Sequence, residues 1–211
     1  MSVESGAATT LLLLRHGETA LTPRRRFSGS GGDPALSDAG RRQAEAAARS
    51  LAAREPVHAV VSSPLRRCLE TAEVLARRLD LRVQVEPRLR EADFGDWEGM
   101  TFAEVRADHP DELAVWLRSP TAVPGRTGET LAAVAERVRT VRDALLARYP
   151  GQTVLVVSHV APLRTLIRLA LGAPPASLFR MELAAASLSA VAYYGNGNAS
   201  VQLLNDTSHL R

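Results

Sequence analysis

The stretch LLLLRHGET, residues 11–19, is the most informative part of this chain, because an apolar run ends abruptly in an arginine, a histidine and a glycine. Residues 11–14 predict a short, fully buried strand of a parallel sheet. Arg15 and His16 then stand at the carboxyl end of that strand, where open α/β sheets bind their ligands. A neutral histidine beside a fixed positive charge suits attack on a phosphoryl group, and Gly17 would let the backbone approach the ligand closely.

A second strand-to-helix segment follows at residues 57–72, VHAVVSSPLRRCLETA. Its apolar start predicts a buried strand. The sequence after that strand predicts a helix, with Ser63 as the N-cap and Pro64 at the first helical position. Arg67 would then lie in the first helical turn, where the helix dipole is positive. This arrangement favours binding of an anion.

A third apolar run, residues 153–163 with the sequence TVLVVSHVAPL, predicts another buried strand that ends at His159. Parallel strands bring their carboxyl ends to one edge of a sheet. The predicted pocket therefore gathers His16, Arg67 and His159 around a phosphoryl group, although these residues are far apart in the chain.

The alternation of apolar runs with helical patterns predicts the α/β class, in the form of a three-layer sandwich. We expect a mainly parallel central sheet with helices on both of its faces. The length of 211 residues favours a single domain over residues 10–211, and residues 1–9 are expected to form a disordered tail. Helices are expected near residues 37–54, 64–79, 128–148 and 161–171, and edge strands near residues 179–194 and 200–204.

Five motifs are spread over nearly the whole chain: LLLLRHGET (11–19), SSPLRRCLETA (62–72), LREADFGDWEGMT (89–101), GET (128–130) and VVSHVAP (156–162). In content and order they resemble the motifs of the histidine phosphatase superfamily, also called the phosphoglycerate mutase-like family. The resemblance extends to the acid phosphatase half of actinobacterial bifunctional RNase H/acid phosphatase proteins and to the α-ribazole phosphatase-like group. It implies the fold of that family and an acid phosphatase that hydrolyses a phosphorylated small molecule.

The resemblance also implies a role for individual residues. His16 would be phosphorylated during the reaction, and Glu91 would act as the general acid and base. Arg67, and not the adjacent Arg66, would contact the phosphoryl group, because the family pattern S-S-x-L-x-R places this contact at its sixth residue. His159 corresponds to the second catalytic histidine of the family.

The residue types fit this chemistry without reference to the family. Hydrolysis of a phosphomonoester through a covalent intermediate needs a nucleophile, positive charge for the phosphoryl oxygens, and a proton donor for the leaving alcohol. His16 would supply the first, while Arg15 and His159, together with the helix arginine, would supply the second. For the third, spacing alone does not separate Glu91 from Asp93 and Asp96.

One position departs from the pattern of many relatives. Thr22 stands where these relatives have an asparagine near the phosphate. The threonine hydroxyl can still donate a hydrogen bond, so we expect Thr22 to bind phosphate.

Two other functions remain as alternatives to the phosphatase. The first is a phosphoglycerate mutase type of phosphoryl transfer, although such mutases carry a longer, basic insertion after the catalytic glutamate. Here the corresponding residues 102–127 are compact and contain only three arginines, at positions 106, 118 and 126. The second is a catalytically silent domain that binds a phosphorylated ligand; such relatives lose the nucleophile or the acid, and this chain retains both.

Composition limits cofactors, partners and location. The five histidines are scattered and the single cysteine is isolated, so we expect no metal and no other cofactor. The pI of about 9.7 comes with a net charge of only +3, and we do not expect nucleic acid as a partner of this domain. A fusion to an RNase H domain in a longer chain and a homodimer are possible arrangements. The run LLLL is too short for a membrane span or a signal peptide, which favours a cytoplasmic location.

Overall fold

In the computed structural model, which describes residues 7–24, 26–53 and 56–211, one six-stranded sheet forms the centre of the protein. Its strands are β1 (Thr9–Arg15), β2 (Ala59–Ser62), β3 (Val83–Val85), β4 (Thr153–Ser158), β5 (Leu188–Tyr193) and β6 (Ala199–Asp206). They lie in the order β3-β2-β4-β1-β5-β6, and the first four strands of this order run parallel. The last two are antiparallel, so the sheet is mixed.

Helices cover both faces of the sheet. The described residues form α1 (Asp38–Ala52), α2 (Arg66–Arg78), α3 (Phe102–Asp108), α4 (Pro110–Trp116), α5 (Leu131–Arg148) and α6 (Val160–Ala170). Helices α1 and α2 pack with one face of the sheet, and α5 and α6 pack with the other. The predicted three-layer α/β architecture is therefore confirmed.

The central strands are apolar because both of their faces are buried. In β1, Leu11 and Leu13 join the core under α5 and α6, whereas Leu14 joins the core under α1 and α2. Each leucine buried in this way contributes about 1.5–3 kcal/mol. Helix α1 presents alanines, Ala44 and Ala47, and these small side chains fit between the helix and its neighbours.

The predicted tail is too long, because β1 begins at Thr9. This residue is buried, and its hydroxyl donates a hydrogen bond to the Tyr149 carbonyl, 3.2 Å away. The amide of Gly151 donates back to the same hydroxyl. Residues 1–6 lie outside the described residues.

Helix α2 begins two residues later than predicted. Its first residue is Arg66, and Leu65, whose side chain cannot cap, occupies the N-cap position. The predicted cap, Ser63, instead directs its hydroxyl to His159. The error arose because a serine before a proline has the signature of a helix start, although the partner of this serine is His159, directly after β4.

The C-terminal strands are also placed differently from the prediction. Residues 175–180 form a 3₁₀ helix, and β5 does not begin until Leu188. Because β5 lies between β1 and β6, it is an interior strand, and of these two C-terminal strands β6 is the one at an edge of the sheet.

The segment between β3 and α5 forms a small structure of its own. Helix α3 begins with a capping box between Thr101 and Glu104, and α4 follows it directly. Neither helix is among the predicted ones, because each has only seven residues and therefore shows little periodicity. No helix in the described part of the chain is long and apolar enough to span a membrane.

Candidate active site

A cavity of about 620 Å³ opens where β1 and β4 end. Three residues that the sequence analysis singled out, Arg15, His16 and Glu91, line this cavity, and two more, Arg67 and His159, are buried next to them; we call this set the catalytic floor. Four of the five are buried, and Arg15 is partly buried. The catalytic floor consists of Arg15, His16, Arg67, Glu91 and His159.

His16 is held in one orientation by its neighbour. Its Nδ1 lies 2.7 Å from the carbonyl oxygen of Gly17, which can only accept a hydrogen bond. Nδ1 therefore carries the proton in the neutral ring, and Nε2 is left with a free lone pair. Burial lowers the pKa of His16 well below its usual range, and the positive charges of Arg15 and Arg67 lower it further. The ring is thus a neutral nucleophile.

Gly17 serves a purpose other than the predicted one. A Cβ atom at this position would lie 2.5 Å from the carbonyl oxygen of Gly40 in α1. The Gly17 amide donates to the Thr71 hydroxyl, which in turn donates to the Arg67 carbonyl. The backbone at Gly17 therefore lies close to α1 and not to the cavity, and its amide is hydrogen-bonded to α2.

His159 is fully buried next to the nucleophile. The two imidazole rings are 5.1 Å apart between centroids. Nε2 of His159 lies 2.7 Å from the Ser63 hydroxyl and 3.3 Å from the Cys68 sulfur. Burial lowers the pKa of His159 well below its usual range, which disfavours the positive charge that we expected of it, while the neutral ring can still offer a hydrogen bond. Sequence analysis missed Ser63, although its position directly after β2 places it at the same sheet edge.

The two arginines of the catalytic floor are attached to different loops. Nη1 of Arg15 donates to the Leu183 carbonyl at 2.6 Å. The guanidinium of Arg67 donates to the carbonyls of Gly29 and Gly32 and is 1 % exposed. In both arginines Nε is buried without a hydrogen-bond partner among the described residues. Arg15 lines the cavity, while Arg67 lies beneath the loop that it binds.

The geometry separates Glu91 from the other two candidate acids. Glu91 is buried, lines the cavity, and accepts hydrogen bonds from the amides of Ala92 (2.9 Å) and Ala161 (3.2 Å). Burial raises the pKa of Glu91 in spite of these bonds and of nearby arginines. Asp93 accepts from the Gly95 amide and does not line the cavity, and Asp96 is exposed. Of these three carboxyl groups, Glu91 is therefore the one that lines the cavity, and its role as the acid stays a prediction.

A partly buried ion pair holds the backbone around Glu91. Nε of Arg137 lies 2.7 Å from Glu129, and the same guanidinium donates to the carbonyls of Arg90 and Glu91. Glu129 belongs to the GET motif, so the structure gives that motif a positioning role. Arg137 was not predicted; its place within an amphipathic helix gave no signal.

Thr22 lines the cavity, as the prediction requires. Its hydroxyl accepts a hydrogen bond from the Thr19 amide at 3.0 Å. The Thr19 hydroxyl also lies 3.2 Å from it, and where that hydroxyl donates in this contact, Thr22 keeps its own proton for a ligand. Its role at the phosphate remains a prediction.

Aromatic side chains form the opposite side of the cavity, which we call the aromatic wall. All four phenylalanines of the chain and one of its two tryptophans belong to it. The second tryptophan, Trp97, is fully buried behind the wall, with its ring 5.7 Å from that of Trp116. The members of the aromatic wall are Phe27, Phe94, Phe102, Trp116 and Phe179.

Comparison with protein families supports this arrangement. The model of the histidine phosphatase superfamily, branch 1, matches residues 11–207. This chain belongs to the histidine phosphatase superfamily. The matched range includes every residue of the catalytic floor, and the predicted family is confirmed.

Several relatives are phosphatases by name. A protein of Mycobacterium tuberculosis described as bifunctional is 48% identical over 205 residues, which are 97% of this chain but 56% of that protein. This chain thus spans little more than half of that relative. Phosphoserine phosphatase 1 of Hydrogenobacter thermophilus is 36% identical over 200 residues, covering 95% of this chain and 93% of the relative.

Solved structures agree with the fold. The native structure of a mycobacterial glucosyl-3-phosphoglycerate phosphatase has a TM-score of 0.84 and 33% identity, covering 95% of this chain and 100% of that one. Phosphoserine phosphatase from Entamoeba histolytica, in complex with 3-phosphoglyceric acid, has a TM-score of 0.86 and 28% identity, covering 96% and 100%. The predicted class of enzyme, a histidine phosphatase, is confirmed by these relatives.

Proposed function

We propose that this chain hydrolyses phosphomonoesters through a phosphohistidine at His16. The observation that carries the proposal is the pairing of His16, neutral with Nε2 unprotonated, with a buried carboxyl group, Glu91, on the same cavity. A nucleophile and an acid in these protonation states are what the first chemical step requires.

In the first step, Nε2 of His16 attacks phosphorus and the bond between phosphorus and the ester oxygen breaks. Glu91 gives its proton to the departing oxygen, so an alcohol leaves and a phosphohistidine remains. Arg15, whose buried Nε lacks a partner among the described residues, would bind the phosphoryl oxygens. Positive charge at these oxygens stabilises the transition state.

In the second step, water replaces the alcohol. Glu91, now ionised, takes a proton from the water as its oxygen attacks phosphorus. The bond between phosphorus and Nε2 breaks, inorganic phosphate leaves, and His16 and Glu91 return to their starting protonation states.

A phosphatase is favoured over a mutase because the segment between β3 and α5 brings no arginine to the cavity. Arg118 is exposed, Arg126 pairs with Asp96, and Arg106 lies over the Phe102 ring. None of the three lines the cavity. With 3-phosphoglycerate we expect release of inorganic phosphate without 2-phosphoglycerate, even after addition of 2,3-bisphosphoglycerate. Efficient isomerisation would reverse this assignment.

The substrate is proposed to be a phosphorylated small molecule of the cytoplasm. The named activities of the relatives, on phosphoserine and glucosyl-3-phosphoglycerate, support this size of substrate.

The bifunctional relative, which is nearly twice as long as the matched segment, supports a fusion, for which an RNase H domain is our candidate. A homodimer remains part of the proposal. A silent binding domain is disfavoured because His16 and Glu91 are both present and correctly placed.

Trapping of the covalent intermediate tests the proposal. Labelled phosphomonoester, mixed briefly with the enzyme and quenched in base, should leave a label on the protein that is stable to base and lost in acid. The His16→Ala variant should carry no such label. An enzyme that releases phosphate without ever becoming labelled, under conditions in which the first step is faster than the second, would contradict the proposal.

A further inference from the structure

Arg164 is a cationic side chain of the cavity that the proposed mechanism does not use. It lies on α6, three residues after Ala161, and both residues line the cavity. The side chain is half-buried, and its Nε is buried with no hydrogen-bond partner in the described parts of the chain. Among the residues that the structure describes, nothing forms an ion pair with it.

The surroundings of Arg164 make an anionic ligand favourable. Burial lowers the pKa of Arg164, while the carboxyl groups of Glu91 and Glu182, when ionised, oppose that effect without pairing with the guanidinium. The aromatic wall of the same cavity provides no countercharge. A charged group removed from water without a partner costs free energy, and an arginine stays protonated in proteins. A ligand anion would offset this cost.

The position of Arg164 indicates which part of a substrate it would meet. Glu91 accepts a hydrogen bond from the Ala161 amide, and Glu91 must contact the leaving oxygen. Arg164 comes three residues after Ala161, so its Cα lies about 4.5 Å further along the axis of α6. Arg164 therefore lines the cavity beside Glu91, which protonates the leaving alcohol, and it is also close enough to Arg15 for the two positive charges to interact.

We infer that Arg164 binds a second anionic group on the leaving alcohol, so that the cavity selects phosphomonoesters carrying a carboxylate or another phosphate. This inference rests on the proposed function. Carboxylate and phosphate share the geometry that a guanidinium matches with two parallel hydrogen bonds. The two sources of the anion are separated by the choice of substrates.

Glu182 modulates this subsite. It lines the cavity, is exposed, and lies close enough to Arg164 to influence its charge. A ligand anion bound to Arg164 would be repelled by the Glu182 carboxylate. Glu182→Gln should therefore lower the KM of an anionic substrate by about two-fold, since exposed charges interact by less than about 1 kcal/mol.

Matched substrates test the inference. One pair is 3-phosphoglycerate and glycerol 3-phosphate, which differ by a carboxylate; the other is the bisphosphate and the monophosphate of 1,3-propanediol. The wild type should prefer the charged member of at least one pair. In Arg164→Gln this preference, measured as a ratio of kcat/KM values, should fall by about ten-fold or more, mainly through KM.

Two further variants serve as controls. Arg164→Lys keeps the charge and should retain part of the preference. Arg168→Gln changes an arginine one turn later on α6 that does not line the cavity, and it should leave the ratio unchanged. The pair that responds to Arg164→Gln identifies the anion as carboxylate or phosphate.

Other results would overturn the inference. Equal losses for both members of a pair would mean that Arg164 serves the phosphoryl group or Glu91. Equal rates for both members in the wild type would also exclude an anion subsite. If p-nitrophenyl phosphate is not hydrolysed either, the proposed function itself fails; if it is hydrolysed, only the subsite is excluded.

Discussion

The catalytic floor and the aromatic wall face each other across one cavity, yet they are built by different means. Four residues of the floor stand at the ends of strands or on the first turn of α2, and Glu91 lies in the loop after β3. Hydrogen bonds to backbone atoms fix four of the five side chains, while His159 is held by the Ser63 hydroxyl. The wall comes from segments outside the sheet and is held by ring contacts with centroid distances of 4.9–6.4 Å. This difference separates the chemistry, which the sheet determines, from the choice of substrate, which the loops determine.

The largest effect is expected at the nucleophile. His16→Ala should lower kcat for p-nitrophenyl phosphate by about a thousand-fold or more, because the covalent route is lost. Thermal unfolding should show that the fold survives. His58→Ala is a matched control, since His58 is exposed at the other end of the sheet, and its activity should stay near wild type. Retention of more than about a tenth of kcat by the His16 variant would contradict the assignment.

The next largest effect is expected at Glu91. Glu91→Gln removes the proton donor, so phosphorylation by an alkyl phosphate should slow by about 10²–10⁴-fold. p-Nitrophenyl phosphate has a good leaving group, and its burst phase should change far less. Asp93→Asn is the control and should leave both substrates unaffected. Equal losses for the two substrates in the phosphorylation step would remove Glu91 from the role of acid.

The pH dependence of kcat/KM is a second test of Glu91 as the acid. Because burial raises the pKa of Glu91, the protonated acid persists to higher pH than an exposed glutamate would. Because the pKa of His16 is lowered, the nucleophile is already neutral in that range. kcat/KM for alkyl phosphates should therefore peak at mildly acidic pH and fall as Glu91 ionises. If kcat/KM of Glu91→Gln falls at basic pH in the same way as that of the wild type, the fall must be due to the ionisation of another group.

A smaller effect is expected at Ser63, which orients His159. Ser63→Ala leaves the buried imidazole without this partner, and such a loss costs about 1–3 kcal/mol. kcat should fall by about 5–150-fold if the full cost appears in the transition state. Ser62→Ala is matched to it, being an adjacent buried serine that donates to a carbonyl instead, and it should retain activity. Similar losses in both variants would point to general damage at the end of β2.

The smallest effect is expected in the aromatic wall. Phe102→Leu keeps an apolar side chain at a half-buried position of the cavity. The KM for p-nitrophenyl phosphate should rise a few-fold, since one aromatic contact contributes about 0.5–1.5 kcal/mol. Glycerol 3-phosphate, which has no ring, should be unaffected. A loss of kcat for both substrates would mean that the wall takes part in the chemistry after all.

The sequence predicted the floor better than the wall for a physical reason. Strand β1 and residues Arg15 and His16 belong to a local pattern, an apolar run followed by charge, that is visible in nine consecutive residues. Ser63 and Arg164 were missed because their roles depend on partners or empty space contributed by distant segments. The same holds for Gly17, whose need for a small side chain comes from a helix that starts more than twenty residues later.

The contact of Gly17 with Gly40 has a consequence for how this enzyme can be altered. A Cβ on Gly40 would lie 2.1 Å from the Glu18 carbonyl, so neither glycine can gain even a methyl group unless backbone moves. The carbonyl of Gly17 also sets the tautomer of His16. A methyl group added at position 40 would therefore displace the backbone that holds the nucleophile, His16, although α1 supplies no residue to the cavity. In a mutational scan, position 40 should behave like an active-site residue, whereas many positions that touch the substrate should tolerate exchange.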